Sequence, residues 1–328
     1  MLHRPRRLRR TDALRRMARE TRLAVGNLIA PQFVMAGSDT QEAIPSMPSQ
    51  YRYTVDRLMD EAKELDALGI PGIALFPAIP DDRKTPDAEH ALDPEGLYPR
   101  AIRAVKEAAP DLMVITDTAL DPYNSDGHDG IVRNGEIHND ATIDVMREMA
   151  VVQAEAGADV IAPSDMMDGR VKAIRHALDE AGHPNVAILS YTAKYSSAYY
   201  GPFRDALDSA PRKRDGIPVG KDTYQMDPAN TDEALRELRL DLEEGADMVM
   251  VKPALPYLDV IRRVSDESDV PVAAYNVSGE YAMLKAAAQN GWLEEKACAL
   301  EALTAIRRAG AKVILTYFAK EAARWLRA

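Results

Sequence analysis

The chain has 328 residues, with 41 Lys+Arg against 52 Asp+Glu, a net charge of −11 and 46% hydrophobic residues. That composition excludes a disordered chain, and no run approaches the ~18–20 apolar residues of a membrane helix. The single cysteine, Cys298, excludes an internal disulfide and a thiolate zinc site; with no secretory leader pattern, the reading is a cytoplasmic protein.

In chain order, the first segment is basic. Nine arginines between Arg4 and Arg22, against Asp12 and Glu20, make residues 1–22 +7 and leave −18 on the rest. Such a start can be a transit segment, a nucleic-acid arm or an arm that packs on an acidic neighbouring subunit. The acidic body would repel phosphates, so no nucleic-acid partner is expected, and apolar strand-like sequence follows at once with no small-residue spacer. The subunit-contacting arm is the preferred reading, which divides the chain into an oligomerisation arm, 1–26, and a catalytic body, 27–328.

From there a rhythm sets in. Apolar runs rich in β-branched residues recur at 27–35, 71–78, 111–120, 159–168, 186–195, 247–254, 270–278 and 312–318. Between most of them lie stretches with helical spacing, at 55–67, 141–156, 171–181, 231–244 and 256–267. Gly157, Gly245 and Gly310 each close such a stretch directly before a strand, where a left-handed residue ends a helix. Asn230 with Glu233 reads as a capping box. Eight strands alternating with helices predict an α/β fold, a (β/α)8 TIM barrel with an extended N-terminal arm. A doubly wound sheet is the runner-up, but no G-x-G-x-x-G is present, and Gly216 to Lys221 is one residue short of a P-loop and follows no strand. The long loops 121–140 and 201–230 depart from the rhythm, as lids and site loops do.

In a barrel, side chains at the C-terminal strand ends converge on one face. Here those ends are Asp117, Asp165, Lys194, Lys252, Ser278 and Tyr317. A lysine ending a buried strand loses hydration, which favours the neutral amine, and a second lysine nearby strengthens the effect. A neutral amine attacks a ketone or aldehyde to form a Schiff base. A lone strand-end lysine is more often a charge reaching solvent; two on neighbouring strands five and six shift the balance to carbonyl chemistry. The residues alone leave open a one-lysine, class I aldolase-like lyase or an enzyme binding two carbonyl substrates.

Several longer stretches are similar to one family. Ser190 to Tyr195 (SYTAKY), Tyr200 to Asp205 (YGPFRD), Gly245 to Pro253 (GADMVMVKP), Ala162 to Arg170 (APSDMMDGR) and Val277 to Tyr281 (VSGEY) resemble the porphobilinogen synthases, or delta-aminolevulinic acid dehydratases. The resemblance runs over almost the whole chain. It implies a (β/α)8 barrel in a homo-oligomer, usually an octamer and in some members a hexamer, that condenses two 5-aminolevulinate molecules to porphobilinogen in tetrapyrrole biosynthesis. By position, Lys252 and Lys194 would form the Schiff bases and Asp117 would move protons. Arg204, Lys221 and Gln225 would bind one substrate carboxylate, and Ser278 and Tyr317 the other. A lysine at 221, where the family often has arginine, keeps the charge but gives up bidentate geometry. No organic cofactor is implied.

Zinc-dependent members carry cysteines at positions matching Ala119, Asp121 and Asp129. Carboxylates there favour magnesium or no tight metal, so the chain looks like an aspartate-rich branch without catalytic zinc. An EF-hand is excluded because position twelve would be Arg133, and His128 reads as a loop hydrogen-bonder. The resemblance also implies an allosteric magnesium on Glu237, which shares a helix face with Asp241. The alternative is a solvated salt-bridge face in which Arg236 and Arg239 satisfy both acids.

Overall fold

The computed structural model describes residues 2–212, 214 and 216–327. Eight strands form the barrel: β1 (Leu28–Met35), β2 (Gly72–Ala78), β3 (Met113–Thr118), β4 (Val160–Pro163), β5 (Ala187–Lys194), β6 (Met248–Lys252), β7 (Val272–Asn276) and β8 (Val313–Thr316). Each pairs in parallel with the next, and β1 closes the ring on β8 through Leu28↔Ile314 and Ile29↔Leu315. Closure removes every open edge from the parallel sheet, and strands covered on both faces require the continuous apolar runs seen in the sequence.

The expected helices at 55–67, 141–156, 171–181, 231–244 and 256–267 are Val55–Ala67, Asn139–Glu155, Arg170–Glu180, Asp232–Glu243 and Leu258–Glu267. Gly157, Gly245 and Gly310 all have φ above +100°, the conformation that lets the chain leave a helix and enter the next strand at once. The helix Glu295–Ala309, which Gly310 closes, and three helices absent from the sequence reading, Leu97–Ala108, Ser278–Gln289 and Ala319–Arg327, complete the outer layer.

Two expectations need correction. The fourth strand, read as 159–168, stops at Pro163, because Met166 (φ 68°) and Gly169 (φ 83°) turn the chain away from the sheet. Asn230 and Glu233 do not form a reciprocal capping box. Thr231 is the N-cap residue, and Asn230 Nδ2 donates directly to the Glu233 side chain at 2.9 Å.

The arm holds a short 3-10 turn (Pro5–Arg9) and a helix (Asp12–Met17) with no buried residue. Apolar packing on the chain's own barrel begins at Leu23 and Val25, and Asn27 Nδ2 donates to the carbonyl of Lys312. Among the described residues, no helix is long and apolar enough to cross a membrane. The loop 201–230, expected to be irregular, opens with the helix Gly201–Leu207, which has Pro202 in its first turn, where a missing N–H costs nothing.

Candidate active site

Lys194 and Lys252 are the last residues of β5 and β6 and are direct partners in the register. Cross-strand partners in a parallel sheet point their side chains to the same side, so both amines enter the barrel mouth. Both residues are buried, yet their surroundings differ.

Lys194 Nζ donates to Asp129 Oδ2 at 2.9 Å and to the carbonyl of Ser164. Lys252 Nζ makes no hydrogen bond or ion pair among the described residues; instead the rings of Tyr191, Tyr200, Phe203 and Tyr275 surround it at 4.9–5.2 Å. Ring faces favour an ammonium. Burial and the positive charge of Lys194 favour the neutral amine and prevail, bringing Lys252 down to about 7.

Asp117, from the end of β3, feels both lysines. Burial, then the negative charge of Asp121, raises its carboxyl to about 7 against the pull of Lys194 and Lys252. Asp129 is also buried, which by itself would raise its pKa, but Lys194 and Lys221 hold it well below the usual carboxylate range. The site thus pairs a carboxyl able to exchange protons near neutrality with one that stays anionic.

The other sequence-predicted residues lie around this centre. Lys221 is buried, donates to Asp129 and sits 3.4 Å from Asp121; it is close enough to Arg204 for the two cations to repel. Arg204 is half-buried with no ion pair among the described residues. Gln225 Oε1 is buried without a hydrogen-bond partner among the described residues. Ser278 Oγ accepts from the Phe203 N–H at 3.0 Å and so fixes the start of the helix Gly201–Leu207. Tyr317 shares a hydrogen bond of 2.8 Å with Tyr275, whose ring faces Lys252. Of the strand-end residues, Asp165 stands apart. It is held by the Met167 N–H and by Arg170 at 3.7 Å.

His128 is buried and hydrogen-bonds across to Pro218 and Tyr224, as expected of a loop hydrogen-bonder. Asp121 and Asp129 face the amines of Lys221 and Lys194, and among the described residues no three His, Cys, Asp or Glu side chains gather as a metal site.

Glu237 is half-buried and without a hydrogen bond or ion pair among the described residues. It lines a cavity of about 450 Å³ with Asp168 and Glu233. Burial, together with Asp241, Asp168 and Glu233, raises its carboxyl against the pull of Arg170. The expectation that Arg236 and Arg239 satisfy the Glu237–Asp241 face is not met. Asp241 is satisfied from the barrel side by Ser190 at 2.7 Å and Arg170 at 3.5 Å, while Arg239 reaches Glu267 at 3.6 Å.

Sequence reading missed the aromatic enclosure of Lys252 and the bridge made by Asp129. Tyr191 and Tyr275 carried a signal, since each lies within a barrel strand near its C-terminal end. Tyr200, Phe203 and Asp129 come from loops or short helices, whose approach no periodicity encodes.

A profile of the delta-aminolevulinic acid dehydratase family matches residues 2–325. The chain belongs to that family. It is 56% identical to the delta-aminolevulinic acid dehydratase of Synechocystis, over 98% of each chain. It is 50% identical to that of Bacillus subtilis, over 99% of this chain and 98% of the other. The crystal structure of the Toxoplasma gondii enzyme, in complex with the reaction product porphobilinogen, superposes with a TM-score of 0.96 at 50% identity, covering 99% of this chain and 92% of that one.

Proposed function

We propose that this chain is a porphobilinogen synthase that joins two molecules of 5-aminolevulinate through Schiff bases on Lys252 and Lys194. The family membership carries the overall reaction. The observation that carries the mechanism is the in-register pair of buried lysines, one shielded by aromatic rings and one held by Asp129.

The neutral amine of Lys252 attacks the ketone of the first substrate. Its carbonyl oxygen leaves as water when a nearby acid supplies protons, and Asp117 is poised at about 7 to give and take them. Lys194 engages the ketone of the second substrate in the same way, so two carbonyl oxygens are lost as two waters and both lysines are released when the pyrrole closes. Arg204, Lys221 and Gln225 hold one substrate carboxylate; Ser278 and Tyr317 hold the other. Aromatic rings around Lys252 exclude the water that would hydrolyse its imine.

Magnesium belongs to this reading at Glu237, whose unpaired carboxylate among acidic neighbours suits a hydrated divalent cation. There it would supply positive charge to the surface of the helix Asp232–Glu243. The exposed basic arm and the acidic body support a homo-oligomer; an octamer or hexamer in the cytoplasm belongs to the same reading.

Borohydride reduction in the presence of 5-aminolevulinate tests the mechanism, the expected result being a covalent adduct on Lys252. Magnesium binding, measured by calorimetry on chelator-treated wild type and Glu237→Gln, tests the metal assignment. Equal binding by both proteins rejects it.

A further inference from the structure

The loop 121–130 and the segment 208–224 are joined at several points. The Arg212 N–H donates to the Asp126 carbonyl at 2.9 Å, and Arg214 Nη2 donates to the Asp126 carboxylate at 2.7 Å. Gly127 has φ +74°, and a Cβ there would stand 2.2 Å from the Ala210 carbonyl oxygen, so the two backbones touch. A further link runs through a buried histidine. His128 Nε2 is 2.9 Å from the carbonyl of Pro218, and Nδ1 is 3.1 Å from Tyr224 Oη.

These partners decide the tautomer. A carbonyl only accepts, so Nε2 bears the hydrogen, and the bare Nδ1 accepts the Tyr224 hydroxyl hydrogen. Tyr224 Oη in turn accepts the Asp129 N–H at 3.3 Å. Asp129 is the residue whose carboxylate bridges Lys194 and Lys221. One imidazole therefore has two separable tasks, at opposite sides of its ring.

We propose that His128 is a positioning residue that ties the segment 208–224 over the site through Pro218 and, through Tyr224, holds Asp129 between the two lysines. The inference rests on the reading that Lys194 and Lys252 form the substrate imines. With the segment seated this way Lys221 meets Asp129, so the same imidazole couples the seating of the segment to the placement of the charge facing Lys194.

Two substitutions separate the tasks. In His128→Asn the amide oxygen lies near the Nδ1 position and can still accept from Tyr224, but nothing reaches Pro218. In His128→Gln the amide nitrogen lies near the Nε2 position and can donate to Pro218, but the acceptor for Tyr224 is lost. Losing one hydrogen bond is expected to cost about tenfold. The Asn variant should raise KM for 5-aminolevulinate about tenfold and speed proteolytic cleavage within 208–224 by a similar factor, with kcat changed less. The Gln variant should lower kcat about tenfold while its cleavage rate stays within about twofold of wild type.

Equal changes in KM, kcat and cleavage in both variants, or no change in either, would overturn the proposal. If the histidine variants do not fold, Tyr224→Phe carries the test. It should lower kcat without faster cleavage, and an unaltered kcat overturns the link to Asp129. Borohydride trapping on wild-type Lys252 is run in parallel. Its absence defeats the imine reading, whereas the cleavage rates report on the Pro218 tie independently.

Discussion

Lys194 and Lys252 end adjacent strands in direct register, yet among the described residues only Lys194 has an anionic partner. The two amines are thereby made unequal. Lys194 is held by Asp129 and a carbonyl, while Lys252, enclosed by four rings, is the readier nucleophile at neutral pH.

Lys252→Ala should abolish covalent trapping at position 252 and lower turnover by about 10⁴-fold, as removal of a nucleophile commonly does. The circular dichroism spectrum should be unchanged, because β6 keeps its ladder. A Lys252→Ala protein that still forms porphobilinogen at a tenth of the wild-type rate would reject the assignment.

The rate of imine formation should rise as pH passes through about 7, where Lys252 loses its proton. Stability should follow a related course. In the unfolded chain this lysine holds its proton to about 10.4, so between about 7 and 10 the unfolded state binds more protons and folding is increasingly favoured as pH rises. Lys252→Met, which carries no charge, should be more stable than wild type below pH 7, and that advantage should shrink toward pH 10. Thermal melts of both proteins from pH 6 to 10 check this; a constant difference contradicts a lowered Lys252.

Asp117→Asn should reduce kcat by about 10²-fold by removing the carboxyl that titrates near 7. Trapping at Lys252 should persist, though more slowly, since the amine itself remains. Unchanged kcat across pH 6–9 would remove Asp117 from the proton transfers.

Asp129→Asn leaves two buried ammonium groups facing a neutral amide. Breaking one side of a buried ion pair costs about 3–5 kcal/mol, so the variant should unfold at markedly lower urea. Arg214→Ala, whose guanidinium is more than half exposed, should cost under about 1 kcal/mol. Equal midpoints for the two variants would show that the Asp129 bridge is dispensable.

Deleting residues 1–22 removes nine arginines and no residue near the lysines. If the arm grips a neighbouring acidic barrel, the truncated protein should sediment as smaller species with lower activity. High salt should weaken the intact assembly, because exposed charges are screened beyond ~8–10 Å. Full-size assembly and normal activity after truncation would reject this role.

The sequence by itself determined the strand rhythm, the helix-ending glycines and the two lysines at strand ends, because these depend on local spacing and on burial along each strand. Its longer stretches also pointed to the family. It overran β4, where Met166 and Gly169 turn the chain out of the sheet. It could not determine which acid meets which base. Asp241 turned inward to Arg170 and Ser190 instead of pairing with Arg239, although Asp241 and Arg239 lie on the same helix. Likewise, Asp129 reached Lys221 across 92 residues, and Phe203 reached Lys252 from a loop helix. Such contacts are set by how loops pack over the barrel mouth, where side chains far apart in sequence compete for one small volume, and only the tertiary structure decides that competition.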